Sequence, residues 1–397
     1  MDLLTCRQNN YNNIKGITMS FTLNEMQRIM KNMVEEFGKK ELEPTAEERD
    51  QNAQFSREIF NKLGTQMLTG MLIPQEFGGA GLDMVSYSVV IETLAKYCAS
   101  TAITLDVHSS LSAYPIYKYG NQEQRDKFVK SLASGQKLGS FAVTEANAGS
   151  DISAMETTAV LDGNEYVING KKMFIINGGE ADIITVAAYT DKDKGLNGIS
   201  LFIIEKDTPG FSIGIREDTM GLRATNISEL IFDNCRVPKE NRLGDEGGAY
   251  KIIEEAWNLN RIGIAAQAVG IAQVAFDASV EYSKTRVQFG KTLSNFQAIQ
   301  WMLANMAISI EASRLLVRQA AGKRDLNEDF SLAASIAKVY ASESAMETAI
   351  KAIQVHGGIG YTTEYPIERY FRDAKATEIY GGTSEIQRSF ISKNIIG

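Results

Sequence analysis

The sequence predicts an α+β protein in three parts: an N-terminal helical domain at residues 19–137, a middle β domain at 138–246 and a C-terminal helical bundle at 247–397. Three changes of hydrophobic period predict it. Over residues 22–135 apolar side chains recur at helical spacing. Over 138–242 the spacing falls towards two, and from Gly248 long helical runs return. A chain of 397 residues has room for two or three such cores.

Residues 1–18 are rich in Asn and Thr and lack the basic-then-apolar layout of a secretory signal, so they read as an upstream extension without function. Met19 leads into a helix start, where Thr22 and Glu25 form a capping box. Met26, Ile29, Met30, Met33, Val34 and Phe37 then share one helical face, read as core, and Pro44 ends that run. Phe77-Gly78-Gly79-Ala80-Gly81 reads as a turn between helices, because no strand precedes it as a phosphate loop requires. In the middle domain Tyr166-Val167-Ile168, Asn169-Gly170 and Met173-Phe174-Ile175-Ile176 read as a hairpin closed by an Asn-Gly turn. Further short strands are expected at 183–189, 199–204 and 230–232. The last domain holds helices over 249–285, 295–322 and 331–356, whose Ala, Ile and Leu faces suit an antiparallel bundle. Helices of this length are expected to pack against partner subunits as well as one another.

The composition is 44% hydrophobic and 23% charged, which is ordinary globular usage. A net charge of -8 argues against a broad basic surface for nucleic acid. No apolar run reaches the length of a membrane span, so no membrane association is expected. Cys6, Cys98 and Cys235 lie far apart and read as reduced thiols of a cytoplasmic protein. With two histidines only, His108 and His356, a multi-histidine metal site is excluded, and redox chemistry would need an organic cofactor.

Four ordered motifs sharpen this outline. Ala142-Val143-Thr144-Glu145-Ala146-Asn147-Ala148-Gly149-Ser150-Asp151 opens the β domain. Arg286-Val287-Gln288-Phe289-Gly290-Lys291 follows the first long helix. Gln354-Val355-His356-Gly357-Gly358-Ile359-Gly360-Tyr361 is continued by Glu364, Arg369 and Asp373, and Ile379-Tyr380-Gly381-Gly382-Thr383-Ser384-Glu385-Ile386-Gln387-Arg388 lies near the end. Together they resemble the signatures of the acyl-CoA dehydrogenase family, in its short-chain, butyryl-CoA dehydrogenase-like branch, and the resemblance runs from about Met19 to Gly397. It implies a helical domain, a β-barrel or sandwich and a four-helix bundle, carrying FAD and an acyl-CoA thioester between which a hydride moves. It also implies a homotetramer built as a dimer of dimers, with an electron-transferring flavoprotein as redox partner. By the same resemblance Phe141, Val143, Thr144, Phe174 and Ile176 would meet the flavin ring, and Ser150 would serve flavin phosphate or substrate. Arg286 would reach a neighbour's FAD pyrophosphate, with Phe289, Gln297, Gln354, Gly358, Thr383 and Glu385 also on the cofactor. Asn260, Arg261, Tyr380 and Gly381 would line the substrate.

The departures from the family pattern are as informative. The glutamate that abstracts the α-proton in most relatives is replaced by Gly381, and the position that carries it in a second subgroup, just before Arg261, is Asn260. Neither a glycine nor an amide serves as a general base at neutral pH. Ile176 stands where a hydroxyl side chain usually meets the flavin. Asp106, in the apolar stretch Thr101-Ala102-Ile103-Thr104-Leu105-Asp106-Val107-His108, is the candidate for a relocated base. Burial of a carboxylate needs a reason, either a helix cap or polar neighbour, or a catalytic task. In an α,β-unsaturated thioester the acidic hydrogen is on the γ-carbon, further from the thioester than the usual base reaches. An alicyclic substrate such as a cyclohexene-carboxyl-CoA fits that displacement, and Gly381 would leave volume for the ring. His108 reads as a polar neighbour. The alternatives are an enoyl-CoA reductase acting on substrates such as aryl-acryloyl-CoA, with water or Tyr380 as proton donor, and a silent paralogue that only binds FAD and acyl-CoA.

Overall fold

The computed structural model describes residues 22–397; the extension at 1–18 and Met19 fall outside the described residues. Helix α1 (Glu25–Phe37) is capped one step later than expected. Asn24, not Thr22, accepts from Gln27 N, and the Gln27 side chain accepts from Asn24 N. Its apolar stripe is core only in part. Val34 and Phe37 are buried and Met30 and Met33 half-buried, whereas Met26 and Ile29 are each 53% exposed. Pro44 does not end the helical run either. After a π-helical segment at Gly38–Leu42, Pro44 sits in the first turn of α2 (Glu43–Gln51), where its missing N–H has no helical partner to lose.

Helices α3 (Arg57–Thr65), α4 (Met84–Tyr97), α5 (Ala99–Asp106) and α6 (Tyr114–Tyr119) follow, then the short α7 (Gln122–Gln124) and α8 (Lys130–Ala133). Gly78 and Gly81, with φ of +82° and +64°, shape the turn before α4. Between α5 and α6 the chain passes through a second π-helical segment, Val107–Ala113, of which every residue is buried. Departures of this kind cluster at functional sites.

The middle domain is an eight-stranded sheet ordered β6-β7-β3-β2-β4-β5-β8, with β1 paired to β4 off that path. Its strands are β1 (Gly139–Ala142), β2 (Thr158–Asp162), β3 (Glu165–Ile176), β4 (Ile183–Tyr189), β5 (Ile199–Glu205), β6 (Phe211–Arg216), β7 (Ile227–Pro238) and β8 (Arg242–Leu243). β4 is buried on both faces: Ile183 and Tyr189 join the helical core, while Ile184, Val186 and Ala188 join the sheet's own core. The hairpin expected around Asn169-Gly170 does not form. β3 runs straight through it, paired antiparallel to β7 along its length, and the hairpin partner is β2 across Gly163. Gly170 lies at a register shift with φ +151°, and a Cβ there would stand 2.3 Å from Thr157 Oγ1. The Asn-Gly pair is thus used as a bulge beside a close neighbour.

Helices α9 (Ala249–Thr285), α10 (Gln297–Asp325) and α11 (Ser331–His356) form the bundle, joined by α12 (Ile367–Thr377) and α13 (Ser384–Ile396). Between α9 and α10 lies a small hairpin of β9 (Val287–Gln288) and β10 (Lys291–Thr292). By length and composition alone α9 is apolar enough to cross a membrane, but 72% of its most apolar window is buried inside the protein, as in a core helix. Cys98 and Cys235 are buried free thiols, and the described residues contain no acidic, histidine or cysteine cluster able to hold a metal.

Candidate active site

One stripe of α9 organises the site. Asn260, Gly263, Ile264 and Gln267 are spaced i, i+3, i+4 and i+7 and so share a face. Asn260 Nδ2 donates to Asp106 Oδ2 at 2.8 Å. Gly263 leaves room for that carboxylate, since a Cβ there would stand 2.1 Å from Asp106 Oδ1. Gln267 accepts from the Tyr380 hydroxyl and donates from Nε2 to Ala99 O at 2.9 Å. Asp106, Asn260, Tyr380 and Gly381 are therefore neighbours, although they come from α5, α9 and the loop before α13.

Asp106 is fully buried. Tyr87 Oη, from α4, donates to its Oδ1 at 2.5 Å, and Ser110 Oγ donates to its backbone carbonyl at 2.7 Å. Burial pushes the Asp106 carboxyl up to about 7, against the hydrogen bonds from Tyr87, Ser110 and Asn260 that favour its charged form. Burial, followed by the Asp106 charge, raises the Tyr87 and Tyr380 phenols well above their ordinary range. His108 is a neutral link rather than a reactive group. Its Nδ1 accepts from Gly139 N at 2.9 Å and Nε2 faces Leu132 O at 3.1 Å, and burial lowers it to about 4.

Gly381 does not leave open volume. With φ +66°, its absent Cβ would stand 2.3 Å from Ile264 Cδ1 and 3.3 Å from Asn260 Oδ1, so Ile264 fills that place. The carbonyls of this loop are collected by long side chains. Lys338 Nζ donates to Gly382 O at 2.8 Å, Gln387 Nε2 to Gly381 O at 3.1 Å, and Arg261 Nε approaches Gly381 O at 3.5 Å. Burial and then the neighbouring Arg261 charge pull Lys338 down to about 7. Arg261 is itself held by Asn258 Oδ1 at 2.6 Å.

A second group lies where β1 and β3 end. Phe141 and Val143 are buried, Thr144 and Ile176 half-buried, and Ser150 exposed. The Val143 carbonyl accepts from Lys172 Nζ at 3.0 Å and the Thr144 carbonyl from Met173 N at 2.9 Å. Lys172, with no exposed surface, also pairs with Glu145 at 2.7 Å, and Glu145 holds Glu156 N and Thr157 N, so the ion pair braces the Val143–Asp151 motif. Phe174 is a left-handed residue, φ +57°, and 57% exposed. Asn177 Nδ2, just beyond Ile176, donates to Thr104 O and Gly139 O, tying this end of the sheet to α5 two residues before Asp106.

A third group lies at the far end of the bundle. Tyr282 of α9 stacks on His356 of α11, centroids 4.4 Å apart, which joins the end of α9 that leads to Arg286 to the end of α11 that carries Gln354. Phe289, at the tip of the β9–β10 hairpin with φ +50°, is 93% exposed, and Gln297 is exposed at the start of α10. Among the described residues the Arg286 guanidinium makes no hydrogen bond or ion pair. Asn260 and Arg286 are separated along α9 by roughly 39 Å. Thr383 caps α13, and hydrogen bonds from the backbone N–H of Glu385 and then from the Thr383 hydroxyl hold the exposed Glu385 carboxyl below the usual range. Tyr87, Lys172 and Lys338 carry no signal of their own in the sequence, since each is a lone polar residue in an ordinary helix or strand, and Gln387 lies in the last motif without a role read for it.

The residues present fit a dinucleotide flavin: exposed aromatic side chains for its ring system, and an unpartnered guanidinium for its phosphates. A cleft of about 990 Å³ elsewhere is lined by Asp162, Glu165, Glu240 and Asp245 against only Lys239 and Arg242, a net negative wall that suits phosphates poorly. The fold and these groups suit an FAD-dependent oxidoreductase. The family's N-terminal domain matches residues 24–136, its middle domain 140–235 and its C-terminal domain 247–396, and the chain belongs to the acyl-CoA dehydrogenase family. The short-chain specific acyl-CoA dehydrogenase of Clostridium acetobutylicum is 45% identical over 95% of this chain and 100% of its own. The acryloyl-CoA reductase (NADH) of Anaerotignum propionicum is 46% identical over 95% of this chain and 96% of its own. The structure of butyryl-CoA dehydrogenase from Megasphaera elsdenii superposes with a TM-score of 0.94 and 44% identity, covering 95% of this chain and all of that one.

Proposed function

We propose that this acyl-CoA dehydrogenase uses Asp106 as its base and acts on an alicyclic, α,β-unsaturated acyl-CoA by taking the γ-proton. The observation that carries the reading is the Asn260 amide. It bonds Asp106 on one side and stands against the Gly381 position on the other, which puts a carboxylate one side chain away from the usual base position. A carboxyl near pKa 7 is suited to proton abstraction at neutral pH. In a cyclohexene-carboxyl thioester Asp106 takes the γ-proton and the electron pair becomes a β,γ double bond. The former α,β pair then moves to join Cα to its other ring neighbour, and a hydride leaves from that neighbour. FAD, when bound, accepts the hydride.

Asp106→Asn is expected to slow anaerobic loss of the oxidised flavin band with cyclohexene-carboxyl-CoA by at least about 100-fold. An unchanged rate, with FAD still bound, sinks the proposal. The complete enclosure of Asp106 favours a second reading, in which the carboxylate only joins helices. The protein would then run as an enoyl-CoA reductase, or bind FAD and acyl-CoA without turnover. Reoxidation of the reduced flavin by an enoyl-CoA such as an aryl-acryloyl-CoA identifies the reductase. Failure of both bleaching and reoxidation identifies the silent protein.

The flavin assignments extend across subunits. Phe141, Val143, Thr144, Ser150, Phe174 and Ile176 of one chain would meet an FAD whose pyrophosphate is held by Arg286 of another, with Phe289, Gln297, Gln354 and Gly358 beside it. Thr383 and Glu385 would complete the cofactor site. The length of α9 supports this division, as do apolar side chains exposed on α10 and α11, Trp301 at 62% and Ile350 at 51%. A homotetramer arranged as a dimer of dimers, working in the cytoplasm with an electron-transferring flavoprotein, completes the reading.

A further inference from the structure

We infer that Tyr87 and Asn260 are positioning residues that form a two-sided cradle for the Asp106 carboxylate, one donor to each oxygen; this rests on the reading of Asp106 as the base. The donors come from different helices, Tyr87 Oη from α4 at 2.5 Å to Oδ1 and Asn260 Nδ2 from α9 at 2.8 Å to Oδ2. An amide NH₂ only donates, so Oδ2 is fixed as an acceptor, and a donating phenol completes the ionised form. Gly263, one turn beyond Asn260, makes the niche. A Cβ there would lie 2.1 to 2.4 Å from the carboxyl atoms, so any side chain at 263 would expel them. Ser110 anchors the Asp106 carbonyl inside the π-helical segment, and its hydroxyl also favours the charged carboxylate beside the two cradle donors.

This arrangement sets the pH at which the base works. Burial favours the neutral acid, and the cradle opposes it by bonding the anion. Loss of either donor therefore raises the pH needed to ionise Asp106. Lys338, bonded to Gly382 O and pulled down to about 7, and Asp373, pushed up to about 6, titrate in the same range, so the Asp106 carboxyl band rather than the rate alone assigns the shift. Tyr87 and Tyr380 stay neutral phenols, and His108 is held neutral by Gly139 and Leu132. Arg261, beside Asn260, is turned to Asn258 and Gly381.

The test uses FAD-loaded enzyme in its native assembly. Difference infrared titration follows the protonated carboxyl band, identified as the one missing in Asp106→Asn, and the bleaching rate with cyclohexene-carboxyl-CoA is measured over the same pH range. In Tyr87→Phe the carboxyl band should persist, and the acid limb of the bleaching profile should move, to higher pH by about one unit. Asn260→Ser should shift both in the same direction and provides the test if the first variant fails to fold. Titrations of both variants that superimpose on the parent overturn the cradle while Asp106→Asn, if inactive, keeps Asp106 as the base. Normal bleaching by Asp106→Asn overturns the base itself, and the cradle's catalytic meaning with it.

Discussion

Gly381 shows how far one residue commits the site. A carboxylate side chain at this position meets two obstacles, because the backbone is left-handed at φ +66° and a Cβ would lie 2.3 Å from Ile264 Cδ1. Gly381→Glu is expected to cost about 1–2 kcal/mol from the left-handed backbone alone, read as a lower melting temperature, without gaining bleaching by butyryl-CoA. Pairing it with Ile264→Ala should recover part of the stability by removing the contact. If the single variant melts like the parent and bleaches with butyryl-CoA, the site is not committed and Asp106 is not needed as a base. At this scale the sequence was legible where a residue broke its context. Asp106 stood out as a carboxylate among apolar neighbours, and Gly381 and Asn260 stood out against the motif. Tyr87 did not, because nothing along the chain says that a tyrosine in α4 meets an aspartate 19 positions on.

At the scale of elements the long helices were legible and the bulged strand was not. The expected ranges 249–285 and 331–356 coincide with α9 and α11, since unbroken apolar periodicity and the glycines flanking those runs leave little choice. β3 was misread because Asn-Gly carries the same local signal in a bulge as in a turn, and only the pairing with β7 decides between them. The strand's second irregularity matters more for function. Between Lys172 and Ile175 the register against β7 slips, so Lys172 and Ile175 both face inward and the intervening Phe174 is turned out with positive φ. A non-glycine residue in that region is uncommon and points to a task. Because Phe174 is largely exposed, Phe174→Ala should leave the melting temperature of the FAD-free protein nearly unchanged. It should weaken FAD retention by up to about tenfold, the worth of one aromatic contact. FAD binding that does not change would place the flavin ring elsewhere.

For the whole molecule the decisive dimension is the length of α9. The Asp106–Asn260–Gly381 corner lies in the first third of that helix and Arg286 at its end. On the proposed reading each chain holds two partial flavin sites, which a second chain completes. Arg286→Ala should then weaken FAD retention by about 10- to 100-fold, as expected for loss of a charge-assisted bond to phosphate. The stronger prediction concerns mixtures. When Phe174→Ala and Arg286→Ala chains are unfolded together and refolded, each mixed pair contains one site with both defects and one with neither. Half the sites of every mixed pair should bind FAD as tightly as the parent, while either variant refolded alone has none. If each site were built within one chain, every site in the mixture would keep one defect and no tight fraction would appear. Titration of the mixture with FAD, followed by flavin fluorescence, separates the two architectures without requiring turnover or knowledge of the substrate.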